Sequence, residues 1–207
     1  MNNQYDTLII GGGVSGISCA LVLGSAKNKP FASEKKIGIF THQKSSALQE
    51  AVFNNAYGIA PGKLGSELLH ESTAHLSEMY PHIIQIPNEK IIDIQGAFPE
   101  FTVISNKNTY QTKYIIIGIG SANTFNIQGL NEFVEPHQKS LVEKQRIQLQ
   151  NTDHKVTEGI YVVGTLAGCR SQLTIAAGSG AAVATDLLTL WNDGIAVQVH
   201  DSIKKKL

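Results

Sequence analysis

The sequence is poor in cysteine, in net charge and in long apolar runs. Its only cysteines are Cys19 and Cys169, which excludes a disulfide framework and a cysteine-rich metal set and fits a reducing compartment. Lys plus Arg and Asp plus Glu number 17 each, so the formal net charge is zero. Nucleic-acid binders cluster excess basic charge, so no nucleic-acid partner is expected. The run Lys204-Lys205-Lys206 reads as a solvated tail. The seven histidines are scattered, none at a metal-ligand spacing, and no metal is expected. No basic N-terminal region precedes the first apolar run, and no stretch reads as long and apolar enough to span a bilayer. The expectation is a soluble, cytoplasmic protein with no membrane partner. Its 207 residues, 42% hydrophobic, suffice for one well-cored domain but not for two typical ones.

Glycine is what the sequence does have, and it is placed rather than scattered. In "YDTLIIGGGVSGISCALVL", residues 5–23, Gly11, Gly13 and Gly16 form a G-x-G-x-x-G. Thr7 to Ile10 reads as a buried strand and Val14 to Leu23 as a helix. Strand, glycine loop and helix in that order are the context a dinucleotide-binding turn requires. Gly11 allows the tight turn, Gly13 leaves no Cβ between backbone and pyrophosphate, and Gly16 lets helix and strand pack closely. The helix N-terminus then offers free N–H groups to phosphate.

Further along, 26–35 reads as a loop and 36–41 as a second strand. The usual carboxylate that holds a ribose at this strand end is replaced by Thr41, followed by His42, Gln43 and Lys44. These still hydrogen-bond a ribose, less strongly than a carboxylate. Residues 45–62 are irregular and dense in turn formers. The spacing predicts a helix over 64–80, with Leu64, Leu68, Leu69, Leu76 and Met79 near one face. Runs at 83–86 with 91–94, at 101–105 and at 110–117 suit an antiparallel meander inserted before the sheet resumes. Tyr114 to Ile117 is apolar throughout, as in a strand buried on both faces, and ends in Gly118-Ile119-Gly120. Residues 133–158 read as a short helix and surface loop, and 160–163 as another buried strand ending in Gly164-Thr165. A long helix is expected over 172–191, whose first half, "AAGSGAAVAT", is small enough to let something approach closely. Three glycine-ended strands at one sheet edge imply an extended ligand rather than a mononucleotide.

Four segments in this order resemble the FAD-binding domain of thioredoxin-reductase-like flavoproteins, within the pyridine-nucleotide-disulfide oxidoreductase superfamily. "LIIGGGVSGISCALVL" is similar to the ADP-binding turn, and "YIIIGIGSANTFNIQGL" to the family's "ATG" strand. "VTEGIYVVGTLAG" is similar to its "GD" segment, and "SQLTIAAGSGAAVATDLL" to the helix whose start faces the flavin. The resemblance implies an α/β fold, a three-layer FAD/NAD(P)-binding Rossmann-like domain with a parallel central sheet and a small antiparallel β-meander. Residues 1–207 would form a single FAD-binding domain. It implies that Gly11, Gly13, Val14, Ser15 and Gly16 hold the pyrophosphate, with Thr41 to Lys44 near the adenosine ribose. Asn55 would approach the flavin, and the Ile91 backbone the adenine. Gly118 and Gly120 would flank the nucleotide, Gly164 and Thr165 the ribityl chain, and Gln172, Leu173 and Thr174 the pyrimidine end of the flavin. For Gln172 the alternative is a helix-end residue facing solvent.

The departures are equally specific. The family's NADPH-binding domain lies between the "ATG" and "GD" segments, where this chain has only 130–163, too few residues for a nucleotide-binding domain. Residues 130–158 stand in its place. No C-x-x-C occurs, and Thr165 replaces the aspartate of "GD". Cys19 reads as core packing. Cys169, in a loop the resemblance puts near the flavin, reads as structural or as a redox thiol. His137 reads as an exposed loop residue or as an acid–base group. The leading function is a flavoprotein oxidoreductase taking electrons from an external donor or a protein electron-transfer partner; no catalytic residue is assigned. The alternative is a non-catalytic flavin-binding or regulatory module that engages a partner or self-associates. A third, an ordinary NAD(P)-binding Rossmann protein, would use Thr41 to Lys44 for a 2′-phosphate.

Overall fold

The computed structural model describes residues 3–42 and 46–200; Gln43, Lys44 and the lysine run at 204–206 lie outside them. The chain opens with β1 (Gln4–Ile10), α1 (Val14–Ser25) and β2 (Ile37–Phe40). Then come the short pair β3 (Val52–Phe53) and β4 (Lys63–Leu64), α2 (Gly65–Met79) and β5 (Ile84–Ile86). They are followed by β6 (Ile91–Ala97), β7 (Glu100–Ser105) and β8 (Thr109–Ile117). The last part holds β9 (Val134–Pro136), β10 (Ile147–Leu149), β11 (Lys155–Thr157), β12 (Ile160–Val162) and α3 (Leu173–Trp191).

The main sheet runs β11-β12-β8-β1-β2-β5. All its pairings are parallel except β11 against β12. Strand alternation sorts the apolar residues onto two faces. Ile9, Ile39, Ile116 and Tyr161 face one way and meet Ile17, Cys19, Leu23, Val183 and Leu187 of α1 and α3. Leu8, Ile10, Phe40, Ile115, Ile117 and Val162 face the other way and meet Ile94, Phe101, Val103 and Tyr110 of the meander. The result is three layers: helices, mostly parallel sheet, antiparallel strands.

Several expectations change. The run at 83–86 does not belong to the meander; β5 pairs in parallel with β2, Gly38 against Ile84 and Phe40 against Ile86. The meander is β6-β7-β8, and β8 is itself a strand of the parallel sheet, pairing β7 at Thr109–Thr112 and β12 at Ile115–Ile117. The short helix expected in residues 133–158 is a single 3-10 turn, Val142–Lys144, and the segment's strands are short. They are the hairpin pair β9–β10, in register Ile147 opposite Pro136, and β11. On α2 the buried stripe is narrower than the spacing predicts, because Leu69 and Leu76 are buried while Leu64 and Met79 are exposed. Against expectation, α3 is long and apolar enough, by length and composition, to cross a membrane. Its Gly180, Val183, Ala184 and Leu187 are instead buried in the helix layer.

The small residues of α3 are explained by α1. A Cβ on Gly180 would stand 1.9 Å from the Ser15 carbonyl oxygen, so the helix backbones cross in contact there. Ser18 Oγ donates to the Ala177 carbonyl at 2.8 Å across the same crossing. The substitution Gly180→Ala is therefore expected to cost about 1–3 kcal/mol of stability through overpacking. Gly178→Ala, where the new Cβ meets nothing within 4 Å, should instead gain about 0.5–1 kcal/mol. Urea denaturation of the two variants checks both signs.

Candidate functional site

At the end of β1, Gly11 takes a φ of +119°, and a Cβ there would lie 2.4 Å from the Gly118 carbonyl oxygen. The turn after β1 is thereby pressed onto the end of β8. A Cβ on Gly16 would lie 1.9 Å from the Gly11 carbonyl oxygen, so α1 starts directly on the turn. Gly13 caps α1 with an extended backbone, no side chain caps the helix, and its first turn holds no acidic residue. A Cβ on Gly13 would meet nothing within 4 Å. The leading N–H groups of α1 have no intrahelical acceptor, and Gly13, Val14 and Ser15, which begin the helix, lie on the wall of a cleft.

The start of α3 is built the same way. Gln172 caps it without a side-chain hydrogen bond, and no acidic residue occupies its first turn. Ser179 Oγ, inside α3, accepts from the Gly164 N–H at 2.8 Å and ties the helix to the turn after β12. Both helix starts line one cleft of about 840 Å³, within the size range of small-molecule and cofactor sites. It lies beyond the carboxyl ends of β1, β8 and β12, the ligand-binding edge of an open parallel sheet.

Of the residues singled out in the sequence, Gly11, Gly13, Val14, Ser15, His42, Asn55, Ile91, Gly118, Gly120, Gly164, Thr165, Gln172 and Leu173 line the cleft. Gly16 is buried behind the turn, Thr174 is exposed at the α3 start, and Thr41 donates its N–H to the Ile86 carbonyl at 3.0 Å. None of these three is on the cleft wall. Gln43 and Lys44 fall outside the described residues. His42 contributes a buried Nδ1 that has no hydrogen-bond partner among the described residues, close to the end of β2.

Sequence reasoning missed Phe40, Glu89, Lys90, Phe125 and Asn126, and on the hairpin side Ser140, Lys144 and Arg146, all on the wall. His137 is corrected outright. It is not an exposed loop residue but 8% exposed, on the cleft wall, its Nδ1 accepting the Lys139 N–H at 3.1 Å. Only pairing of the hairpin brings that side chain inward, and no local spacing announces it. Among the described residues the ionised groups on the wall are Lys90, Lys144, Arg146 and Glu89. A chain of zero net charge thus presents a cationic cleft.

Glu89 is 7% exposed and fully engaged. It accepts from Ser105 Oγ, from Asn108 Nδ2 at 2.8 Å and from Tyr110 Oη at 2.9 Å. Burial raises its carboxyl, but those three donors and the Lys107 charge outweigh burial and hold it below its ordinary value. Tyr110, edge-on to Phe40 with ring centroids 5.2 Å apart, is pushed up to about 12 by burial and by Glu89. The cysteines differ from a redox pair. Cys19 is fully buried and its thiol is pushed far up by that burial. Burial also raises the Cys169 thiol, against a smaller lowering by Lys139, so neither is held as a thiolate at neutral pH.

A family model described as pyridine nucleotide-disulphide oxidoreductase matches residues 5–178. The chain belongs to that family. Two curated relatives are both named uncharacterized oxidoreductase CzcO. The one from Bacillus velezensis is 28% identical over 152 residues, covering 69% of this chain and 44% of the relative. The one from Bacillus subtilis is 25% identical over 171 residues, covering 78% and 48%. The chain therefore spans about half the length of the curated relatives it matches. Among solved structures, a thioredoxin reductase from Gloeobacter violaceus aligns with a TM-score of 0.75 at 12% identity, covering 98% of this chain and 100% of that one. A ferredoxin-flavin thioredoxin reductase from Clostridium acetobutylicum aligns with a TM-score of 0.67 at 17% identity, covering 91% and 99%. These likenesses establish a thioredoxin-reductase-like fold.

Replacing Glu89 by Gln leaves its donors short of an acceptor and should cost about 1.5–3 kcal/mol at pH 7, the scale of hydrogen bonds to a charged group. Its folded-state pKa lies below the ordinary 4.5, so the stabilisation is complete above that pH and is lost as pH falls through the folded-state value. The gap between Glu89→Gln and the parent chain should narrow below pH 4.5, as measured by urea denaturation across pH.

Proposed function

We propose that the cleft binds FAD in an extended conformation and that the protein is a flavin-dependent oxidoreductase supplied with electrons by an external donor or partner protein. On this reading residues 1–207 act as one FAD-binding domain, with 130–158 in the place of an NADPH-binding domain. One observation carries the proposal: two uncapped helix N-termini, both free of acidic side chains, open onto the same cationic cleft.

The pyrophosphate belongs at the start of α1, where Gly13 leaves room and the N–H groups of Val14 and Ser15 face it. Gly16 and Gly11 hold that helix start in position. The ribose of the adenosine belongs beside His42, whose buried Nδ1 lacks a partner among the described residues, with Thr41, Gln43 and Lys44 close in sequence. Ile91 offers its backbone to the adenine, against the wall made by Phe40 and Glu89. Gly118 and Gly120 border the nucleotide, Gly164 and Thr165 the ribityl chain, and Asn55 the flavin ring. Gln172, Leu173 and Thr174 begin the helix whose dipole favours negative charge on the pyrimidine end of the ring. Bound FAD would supply two-electron chemistry, and the chain's residues would hold and polarise it.

The raised thiols of Cys19 and Cys169 favour a second reading, in which the cofactor is held but no disulfide exchange follows and the chain serves as a binding or interaction module. Adding NADPH, or a reduced electron-transfer protein, to the FAD-loaded chain separates the two. An oxidoreductase is bleached at a catalytic rate by at least one donor, and a binding module by neither.

The cofactor itself is tested by titrating FAD, FMN and NADP into the purified chain and following flavin fluorescence and heat. FAD should bind at least tenfold more tightly than the others. The substitution Gly13→Val, which projects methyls into the open space, should weaken FAD tenfold or more. It should also cost the cofactor-free chain no more than about 1 kcal/mol, the scale of a helix-cap change. Failure of the parent chain to take up FAD, or preference for NADP, overturns the proposal.

A further inference from the structure

The hairpin β9–β10 does more than close a gap in the chain. Its ladder continues one pair beyond Ile147 and Pro136, where the His137 N–H donates to the Arg146 carbonyl at 2.9 Å. His137 and Arg146 are thus cross-strand neighbours, whose Cβ atoms stand about 5 Å apart in such a pair. Both line the cleft, with Ser140 and Lys144 from the connecting loop. The hairpin is fixed to the sheet edge, because the Ile147 N–H donates to the Ser121 carbonyl at 3.0 Å, just beyond the glycines that follow β8.

The His137 ring is set in one orientation. Its Nδ1 accepts the Lys139 N–H, so in the neutral ring the proton sits on Nε2, which can only donate. The cations beside it are unspent. Among the described residues neither Lys144 nor Arg146 has a carboxylate within ion-pair distance. Of the hairpin's carboxylates, Glu135 accepts from Gln148 Nε2 at 2.7 Å and Gln138 Nε2 at 3.2 Å, and Glu143, exposed in the connecting turn beside Lys144, is in no ion pair among the described residues. Glu89, elsewhere on the wall, is already held by three donors. An arginine, a lysine and a histidine with an Nε2–H donor therefore border the same stretch of cleft, and among the described residues no carboxylate is paired with either cation.

We infer that His137, Lys144 and Arg146 form a second anion subsite in the cleft, one that takes the carboxylate or phosphate of a small-molecule substrate. An oxyanion suits all three groups, since an arginine fork grips two oxygens at once while the ammonium and the imidazole N–H each take one. The subsite is made by the chain alone. Only its service to an electron-exchanging substrate rests on the flavin reading above.

Calorimetric titration at constant ionic strength tests it, with inorganic phosphate and acetate as probes on the cofactor-free and the FAD-loaded chain. One saturable site is expected in both forms, and the tighter of the two probes names the substrate's anion. In the double variant Lys144→Ala with Arg146→Ala, binding should weaken tenfold or more. His137→Phe, which keeps a ring but has no N–H to donate, should weaken it several-fold. Lys139→Ala, which removes a hairpin charge that is not on the cleft wall, should bind the probe as the parent does. Lys144 and Arg146 are exposed, so the double variant keeps its fold, and circular dichroism checks that. Non-saturable heat, or equal weakening in Lys139→Ala, overturns the subsite. So does a tenfold loss of FAD affinity in the double variant, which would assign these cations to the cofactor's own phosphates. A chain that binds phosphate at this site but takes up no FAD leaves the subsite standing and removes only the flavin reading.

Discussion

Backbone-to-backbone contact at glycine is the constraint on which the rest depends. Gly16 sits where a Cβ would touch the Gly11 carbonyl, Gly11 where it would touch Gly118, and Gly180 where it would touch Ser15. These approaches are short because no side chain intervenes, and together they press β1, β8, α1 and α3 into one rigid corner. Two helix N-termini are brought to the same sheet edge as a result. Neither spends its leading N–H groups on a side-chain cap. Unsatisfied N–H groups and dipoles of one sign make a positive field without any formal charge, and the cations of the wall add to it.

That field resolves an apparent conflict in the composition. A net charge of zero says nothing of how charge is arranged, and here Lys90, Lys144 and Arg146 gather on the cleft while most carboxylates stay on the outer surface. Among the described residues the one carboxylate on the wall, Glu89, stays ionised, its charge engaged by Ser105, Asn108 and Tyr110 on the meander. It ties down the meander side of the cleft, and Lys90, Lys144 and Arg146 outnumber it. The hairpin supplies the remaining cations, Lys144 and Arg146.

The central features were legible in the residues because their causes are local. A β-branched run between a polar start and a glycine turn can be little other than a buried strand, so β1, β2, β8 and β12 were readable to within a residue or two at their carboxyl ends, as was the turn at Gly11–Gly16. What escaped depended on partners distant in sequence. The run Ile84–Ile86 has the same alternation whether it pairs in a meander or at the edge of a parallel sheet, and only β2 beside it decides. Residues 133–158 are polar because the hairpin buries little beyond Leu149 and Gln148, so their short strands left no apolar period. His137 turned inward only through pairing with Arg146. The small residues of α3 are plain in the sequence, but the helix they admit, α1, is set by tertiary packing.

If both helix starts serve a single extended ligand, they must respond to it together. The direct measurement is a backbone amide NMR titration of the isotopically labelled chain with FAD, following Gly13, Val14 and Ser15 of the α1 start and Leu173 and Thr174 of the α3 start. Both groups of amides are expected to shift in concert, with one apparent affinity. Shifts confined to the α1 start, with the α3 amides unmoved at saturation, would contradict a shared ligand.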